Sequence, residues 1–215
     1  MDDEAFVGPV RQWLESVVVA MHLCPFAQRE LANNRVRFAV TEANSEAQLL
    51  IALKGELRVL SRDPAVETTL LIHPNVLDDF HDYNQFLGSA DRLLVEMNLE
   101  GVYQIASFHP RYQFSGTHAD DEENYTNRSP YPMLHLIREE SLERVIADFP
   151  DVDQIPLRNI KLMNSLGRQH LQALLRACSV DDVVSTAGGQ SASASQPDSL
   201  GRRAAQRSIA RQWHR

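Results

Sequence analysis

Between Val102 and Glu139 the sequence runs VYQIASFHPRYQFSGTHADDEENYTNRSPYPMLHLIRE, and how its two ends are joined decides the fold. Val102 to Ser107 is apolar and β-prone, and so is Met133 to Ile137, which predicts two strands. Between them there is neither helical nor strand periodicity, only Gly, Asn, Ser, Asp and Pro with aromatic residues interleaved. Two strands joined without a helix are expected to run antiparallel, because a parallel return needs a crossover element. A connection of this length inside a compact domain is either functional or disordered. The aromatic residues Tyr112, Phe114, Tyr125 and Tyr131 argue for order, since disordered chain is poor in them.

Upstream, the pattern is helical and then alternating. Phe6, Val10, Trp13, Leu14, Val17, Val18 and Met21 form one stripe, predicting a helix over residues 5–21. It should stop before Cys24-Pro25, because a residue preceding proline is pushed out of the α region. A short helix to about Ala32 follows. Val36, Phe38 and Val40 alternate with Arg37, Ala39 and Thr41, a half-buried strand. Ser45 with Gln48 three residues on is a capping box for a helix to about Leu60. Thr68 to Ile72 is apolar on consecutive positions, so this strand is expected to be covered on both faces. A long helix is predicted over 76–99, closed by Gly101.

Downstream of the fourth strand, Ser141 offers a cap for a helix to Phe149, and Asp151 to Pro156 read as a turn. A last helix is expected from Leu157 to Cys178, with Gly167 its weak point. The alternation of elements predicts an α/β fold, bordering on α+β. It is expected to be a two-layer sandwich with a mixed, mostly parallel sheet of about four strands and helices packed on it. One globular domain should occupy residues 1–180. Residues 181–215 read as a Ser/Ala/Gly-rich linker and a basic tail expected to be flexible.

Charge and cysteine usage narrow the setting. The chain of 215 residues is 43% hydrophobic and carries 21 basic against 29 acidic residues. Five of the arginines fall in the last fifteen residues; without them 16 basic residues face 29 acidic ones, a net of −13. An acidic body argues against nucleic acid or an anionic membrane as a partner. Two cysteines make no disulfide framework, and the first residues, MDDEAF, are acidic. No apolar run approaches the roughly 18 residues that span a bilayer. The expectation is a cytoplasmic protein with unpaired cysteines.

Candidate chemistry gathers at strand ends and in the long loop. Two strands end in apolar-His-Pro, as Ile72-His73-Pro74 and Phe108-His109-Pro110. Ligands of open α/β sheets bind at the carboxyl ends of strands, which would set His73 and His109 on one rim; capping the strand is the alternative duty. His135 alternates with Met133 and Ile137 on one face, as a core histidine or a ligand. Asp121, in an acidic run, is a general base, a metal ligand or simply solvated. Arg128 presents a planar fork suited to an anion, with Asn127 and Ser129 beside it, or else it pairs with the acidic run. Cys24 is a nucleophile only if a basic neighbour activates its thiol. His118-Ala119-Asp120 with His135 has the look of an iron-binding facial triad, but the spacing is too short and the jelly-roll strands are missing.

Four segments carry a resemblance: His22-Leu23-Cys24-Pro25-Phe26-Ala27, Ser107-Phe108-His109-Pro110, Thr126-Asn127-Arg128-Ser129-Pro130-Tyr131-Pro132, and Leu134-His135-Leu136-Ile137-Arg138-Glu139. Over about residues 5–178 the chain resembles the uncharacterised bacterial family called domain of unknown function 1415. The resemblance implies that Cys24, His109, Tyr112, Phe114, Asp121, Asn124, Asn127, Arg128, Ser129, His135, Arg138 and Glu139 are positions of the family pattern. It implies no activity. Two readings therefore stand. In the first, the chain is a small enzyme acting on an anionic metabolite. His109, His135, Asp121 and Cys24 are then catalytic, and Arg128, Asn127, Ser129, Asn124, Tyr112 and Arg138 surround the substrate. A divalent zinc, manganese or iron ion is held by His109, His135 and Asp121, with His73 as a further candidate. In the second, the same loop is a non-catalytic site for a small anion or a protein.

Overall fold

The computed structural model describes residues 2–148 and 154–179. The expected tail from 181 lies outside the described residues, and so do residues 151–153 of the turn placed at 151–156, whose other half is helical. Four strands form a single mixed sheet: β1 (Val36–Val40), β2 (Thr68–Ile72), β3 (Tyr103–Phe108) and β4 (Met133–Arg138), in the order β1-β2-β4-β3. β1 and β2 are parallel, whereas β4 runs antiparallel to both β2 and β3. Three of the four strands thus point one way, as expected. The fourth, joined to β3 without a helix, is inserted between β2 and β3 rather than added at an edge.

α3 (Glu46–Arg62) opens on the predicted capping box: Ser45 Oγ accepts from Gln48 N at 3.4 Å, and Gln48 Oε1 accepts from Asn44 N at 3.0 Å. α4 (Phe80–Glu96) begins later than its apolar pattern suggests. Leu77 takes a left-handed φ of 61°, which no helix interior tolerates, and Asp79 caps the helix through the amides of His81 and Asp82. α3 and α4 cover one face of the sheet, with Leu53, Leu57, Phe86 and Ala90 against Leu71, Leu134 and Leu136.

The opposite face carries a second helical layer, so the sheet is covered on both sides, not only in the two-layer manner expected. α1 (Glu4–Trp13) passes directly into a π-helical turn at Leu14–Val19, and both pack on this face with α2 (Ala27–Ala32), α6 (Gln154–Leu166) and α7 (Arg168–Ala177). The all-buried run of β2 is the sequence trace of this double cover: Leu71 faces α3 and α4, while Leu70 and Ile72 face the N-terminal helices. The single terminal helix predicted over 157–178 is broken into α6 and α7 at Gly167, whose φ of 76° ends the first and sets the angle of the second. α5 (Glu139–Asp148) follows β4 without a break, so Ser141 lies inside it and does not cap it; its hydroxyl bonds Glu67 instead.

Candidate functional site

His73 and His109 do follow strands that end on the same rim, and both are fully buried. Each is tied to backbone. His73 Nδ1 donates to Val76 O at 3.0 Å, and its ring stacks on Tyr83 with centroids 5.9 Å apart. His109 accepts from Arg111 N at Nδ1 (3.0 Å) and donates from Nε2 to Leu77 O (3.1 Å). A carbonyl can only accept, so these contacts fix His109 as the neutral Nε2–H tautomer with neither nitrogen left over. It braces the Leu77 turn ahead of α4, against Phe80 and Tyr83 at 5.4 and 5.0 Å. Burial pushes His73 down to about 4 and lowers His109 as well, so both rings are neutral at pH 7.

The long loop is ordered by its own polar side chains. Buried Asn124 accepts from Phe114 N and from the Thr117 hydroxyl, each at 2.9 Å, and donates to His118 O at 2.8 Å. Asp121 Oδ2 accepts from His118 N at 2.8 Å, and Glu122–Thr126 forms a 3-10 turn. Arg128 donates from Nε to Tyr112 O (3.2 Å) and from Nη2 to Ala119 O (2.5 Å), with its guanidinium over the Tyr125 ring. Ser129 donates to Tyr131 O at 2.7 Å. Asn127 donates to Ser107 O at 3.0 Å, joining the loop to the end of β3. Arg138 gathers the carbonyls of Leu60, Asp63 and Val66 at the end of α3. Of the residues grouped around an anion by their sequence, Arg128, Ser129, Asn124 and Arg138 bond backbone here. Among the described residues, no three His, Cys, Asp or Glu side chains come together as a metal-holding group. The set of His109, His135, Asp121 and His73 is not assembled into one.

His135 is different, and it lies on the other face of the sheet from His109. Its Nε2 meets Thr68 Oγ1 at 2.6 Å, and the same hydroxyl lies 2.6 Å from Leu136 O. The hydroxyl has one proton and the carbonyl can only accept it, so Thr68 accepts from Nε2–H. Nδ1 is left as the lone-pair nitrogen. Among the described residues no other hydrogen-bond partner engages the ring, which forms part of the wall of a cavity of about 290 Å³. Burial pushes His135 down to about 4, so it stands neutral, as an acceptor.

The cavity is built from segments far apart in sequence. Its floor is the sheet: Thr68 and Leu70 of β2, His135 of β4, and Gln104 and Ala106 of β3. Trp13, Leu14 and Val18, from the end of α1 and the π turn, form an apolar wall. Phe108 stands between Trp13 and His135, with ring centroids 5.3 and 6.0 Å away. Cys24 lines the cavity too, held there because Asn159 of α6 donates to Leu23 O at 2.8 Å. Burial raises the Cys24 thiol, and the Phe26 and Ala27 amides only partly offset this, so it is a thiol and not a thiolate.

One end of the cavity is charged. Glu30 and Glu67, only 8% and 7% exposed, line it. Arg35 bridges them, paired with Glu67 and 3.6 Å from Glu30 Oε2. Arg29 pairs with Glu30 Oε1 at 2.9 Å, and Ser141 donates to Glu67 and accepts from Arg144. Sequence reasoning found His135, Cys24 and Asn127 of this wall and missed Trp13, Glu30, Glu67, Thr68 and Gln104. Thr68 and Glu67 carried a legible signal: polar residues opening a strand otherwise buried throughout.

No helix among the described residues is long and apolar enough to cross a membrane. Compared with curated proteins and with solved structures, the chain matches none. One family model does match, over residues 6–173, the whole body apart from its last turn. The chain therefore belongs to the family described as protein of unknown function DUF1415.

Proposed function

We propose that this protein is an enzyme of the acid–base type that holds a small molecule in the cavity beside His135, with His135 Nδ1 as the proton acceptor. The observation that carries this is the hydrogen-bond series from His135 to Thr68 to Leu136 O. It fixes the tautomer and leaves Nδ1, on a ring that lines the cavity, as a neutral lone-pair acceptor. A general base needs such placement before it needs any particular affinity for protons. The cavity lies at the small end of the range in which ligand sites occur, and it combines apolar walls with a few convergent polar groups. Gln104, Asn127 and Thr126 supply hydrogen bonds that orient a substrate, and Cys24 offers a second group beside it. The 108–139 stretch contributes Phe108, Thr126, Asn127 and His135 to the lining, and the Asn127 bond to Ser107 O ties its loop to β3.

The test is a ligand-observed NMR screen of small fragments against the full chain, repeated with Ala106→Leu, which adds bulk to the cavity floor. Fragments that bind the wild type and are lost in the variant locate the site. His135→Gln, which lacks the basic nitrogen, should keep fragment binding and abolish turnover of any fragment that reacts. Fragments that bind equally well to Ala106→Leu would refute the cavity as the site.

A further inference from the structure

One end of the cavity is rich in acceptors, while Trp13 Nε1, a buried donor without a hydrogen-bond partner among the described residues, and Arg29 also line the wall, and this bears on what it holds. His135 offers a lone pair and, because Thr68 takes its only N–H, presents no donor to the cavity. The charges held deepest in the wall are carboxylates. Glu30 and Glu67 side chains are 11% and 8% exposed, whereas those of Arg35 and Arg29 are 34% and 65% exposed. Charges on the solvent side are screened by water, while buried ones act at close to full strength. Glu30 Oε2 is buried without a hydrogen-bond partner among the described residues, its nearest cation being Arg35 at 3.6 Å. The two arginines best suited by sequence to clamp an anion, Arg128 and Arg138, are tied to backbone carbonyls elsewhere.

We propose that the cavity's ligand carries a cationic head group that donates hydrogen bonds, as a protonated primary amine does. The head lies toward His135 Nδ1 and the carboxylates of Glu30 and Glu67, and an apolar body lies against Trp13, Leu14 and Val18. This rests on the cavity reading above and adds the class of its substrate. An ammonium group has three donors and no lone pair, matching the acceptors His135 Nδ1, Glu30 and Glu67. A carboxylate head would meet the His135 lone pair and two carboxylates buried more deeply than the arginines paired with them.

The experiment is calorimetric titration of the full chain at pH 7 with four probes: n-hexylamine, benzylamine, hexanoate and benzoate. The expected result is binding of the amines in clear preference to the acids, with hexylamine weakened roughly tenfold by Glu30→Gln, as when a charge-assisted bond becomes a neutral one. Should that variant fail to fold, the preference of the wild type for amines over acids decides alone. Binding of the acids in preference to the amines overturns the inference and leaves the cavity reading standing. Equal amine affinity in a folded Glu30→Gln does the same. Binding of neither class, or amine binding that survives Ala106→Leu, overturns the inference and the cavity reading together.

Discussion

Lowering the pH from 7 to 5 should destabilise this domain by several kcal/mol, through histidines that the fold keeps neutral. His73 and His135 are both pushed from 6.5 to about 4, chiefly by burial, so each binds a proton in the unfolded chain at a pH where the folded one does not. A folded-state value below the unfolded one means stability is complete above about 6.5 and is lost as pH falls toward 4. Across pH 7 to 5 the linkage relation gives about 1.8 kcal/mol for each ring, or about 4 kcal/mol for the pair. His109, lowered in the same direction by burial, adds to the loss. Glu139, raised by partial burial and then by Glu143 and Glu100, works the other way and trims it. Asp79, held low by the amides of Asp82 and His81, acts only below this window. That loss is comparable with the whole stability of many domains. Urea denaturation at half-unit steps of pH measures it, and His73→Gln and His135→Gln should each remove about half the slope. A stability constant to within about 0.5 kcal/mol between pH 7 and 5 would refute the argument, as would imidazole resonances of His73 or His135 titrating near the free value.

Two further perturbations separate scaffold from site. His109→Ala removes a buried ring and leaves Leu77 O and Arg111 N unpaired, so it should cost about 3–5 kcal/mol and lower the melting temperature by roughly 6 °C or more in calorimetry, while cavity ligands of the wild type still bind. Asn124→Ala takes three hydrogen bonds from the long loop, and limited proteolysis should then cut between residues 112 and 126 at least tenfold faster, with a stability loss of about 2–4 kcal/mol; an unchanged cleavage rate would mean that the loop is held by something other than this side chain.

Much of the scaffold was legible in the residues because it is specified locally. The Ser45–Gln48 capping box, the alternation of β1 and the consecutive apolar residues of β2 each act within a few positions, and each appears where its pattern placed it. Local rules also explain the misplaced boundaries: the apolar stripe from residue 76 did not reveal that Leu77 turns left-handed, and Gly167 weighed more than the stripe running through it. The site was only half legible. His135 stood out as a polar residue on an apolar strand, but its partner Thr68 comes from another strand, 67 positions away. Glu30, Glu67 and Trp13 meet only because a second helical layer closes over the sheet, and no short-range pattern reports which helix covers which face. Arg128 and Asn124 looked like binding groups because the residue types that recognise ligands are also those that bond backbone carbonyls and amides in a long loop.

The place of β4 in the sheet sets a condition on how the chain comes together during synthesis. β4 is the last strand in sequence among the described residues, yet it separates β2 from β3 and supplies every ladder bond that β3 makes there. Until residues 133–138 leave the ribosome, β3 has no neighbour to pair with and β2 keeps one edge open. Tyr83 marks the closing event, since its hydroxyl donates to Met133 O at 2.8 Å and accepts from Phe108 N at 3.1 Å, bridging the strand that arrives and the strand that waits. β4 brings His135 to the cavity, but Asn159 of α6, which holds Leu23 beside Cys24 in the wall, follows it in the chain. A nascent chain of this protein therefore pairs its open, aggregation-prone edge before the wall of the pocket is complete.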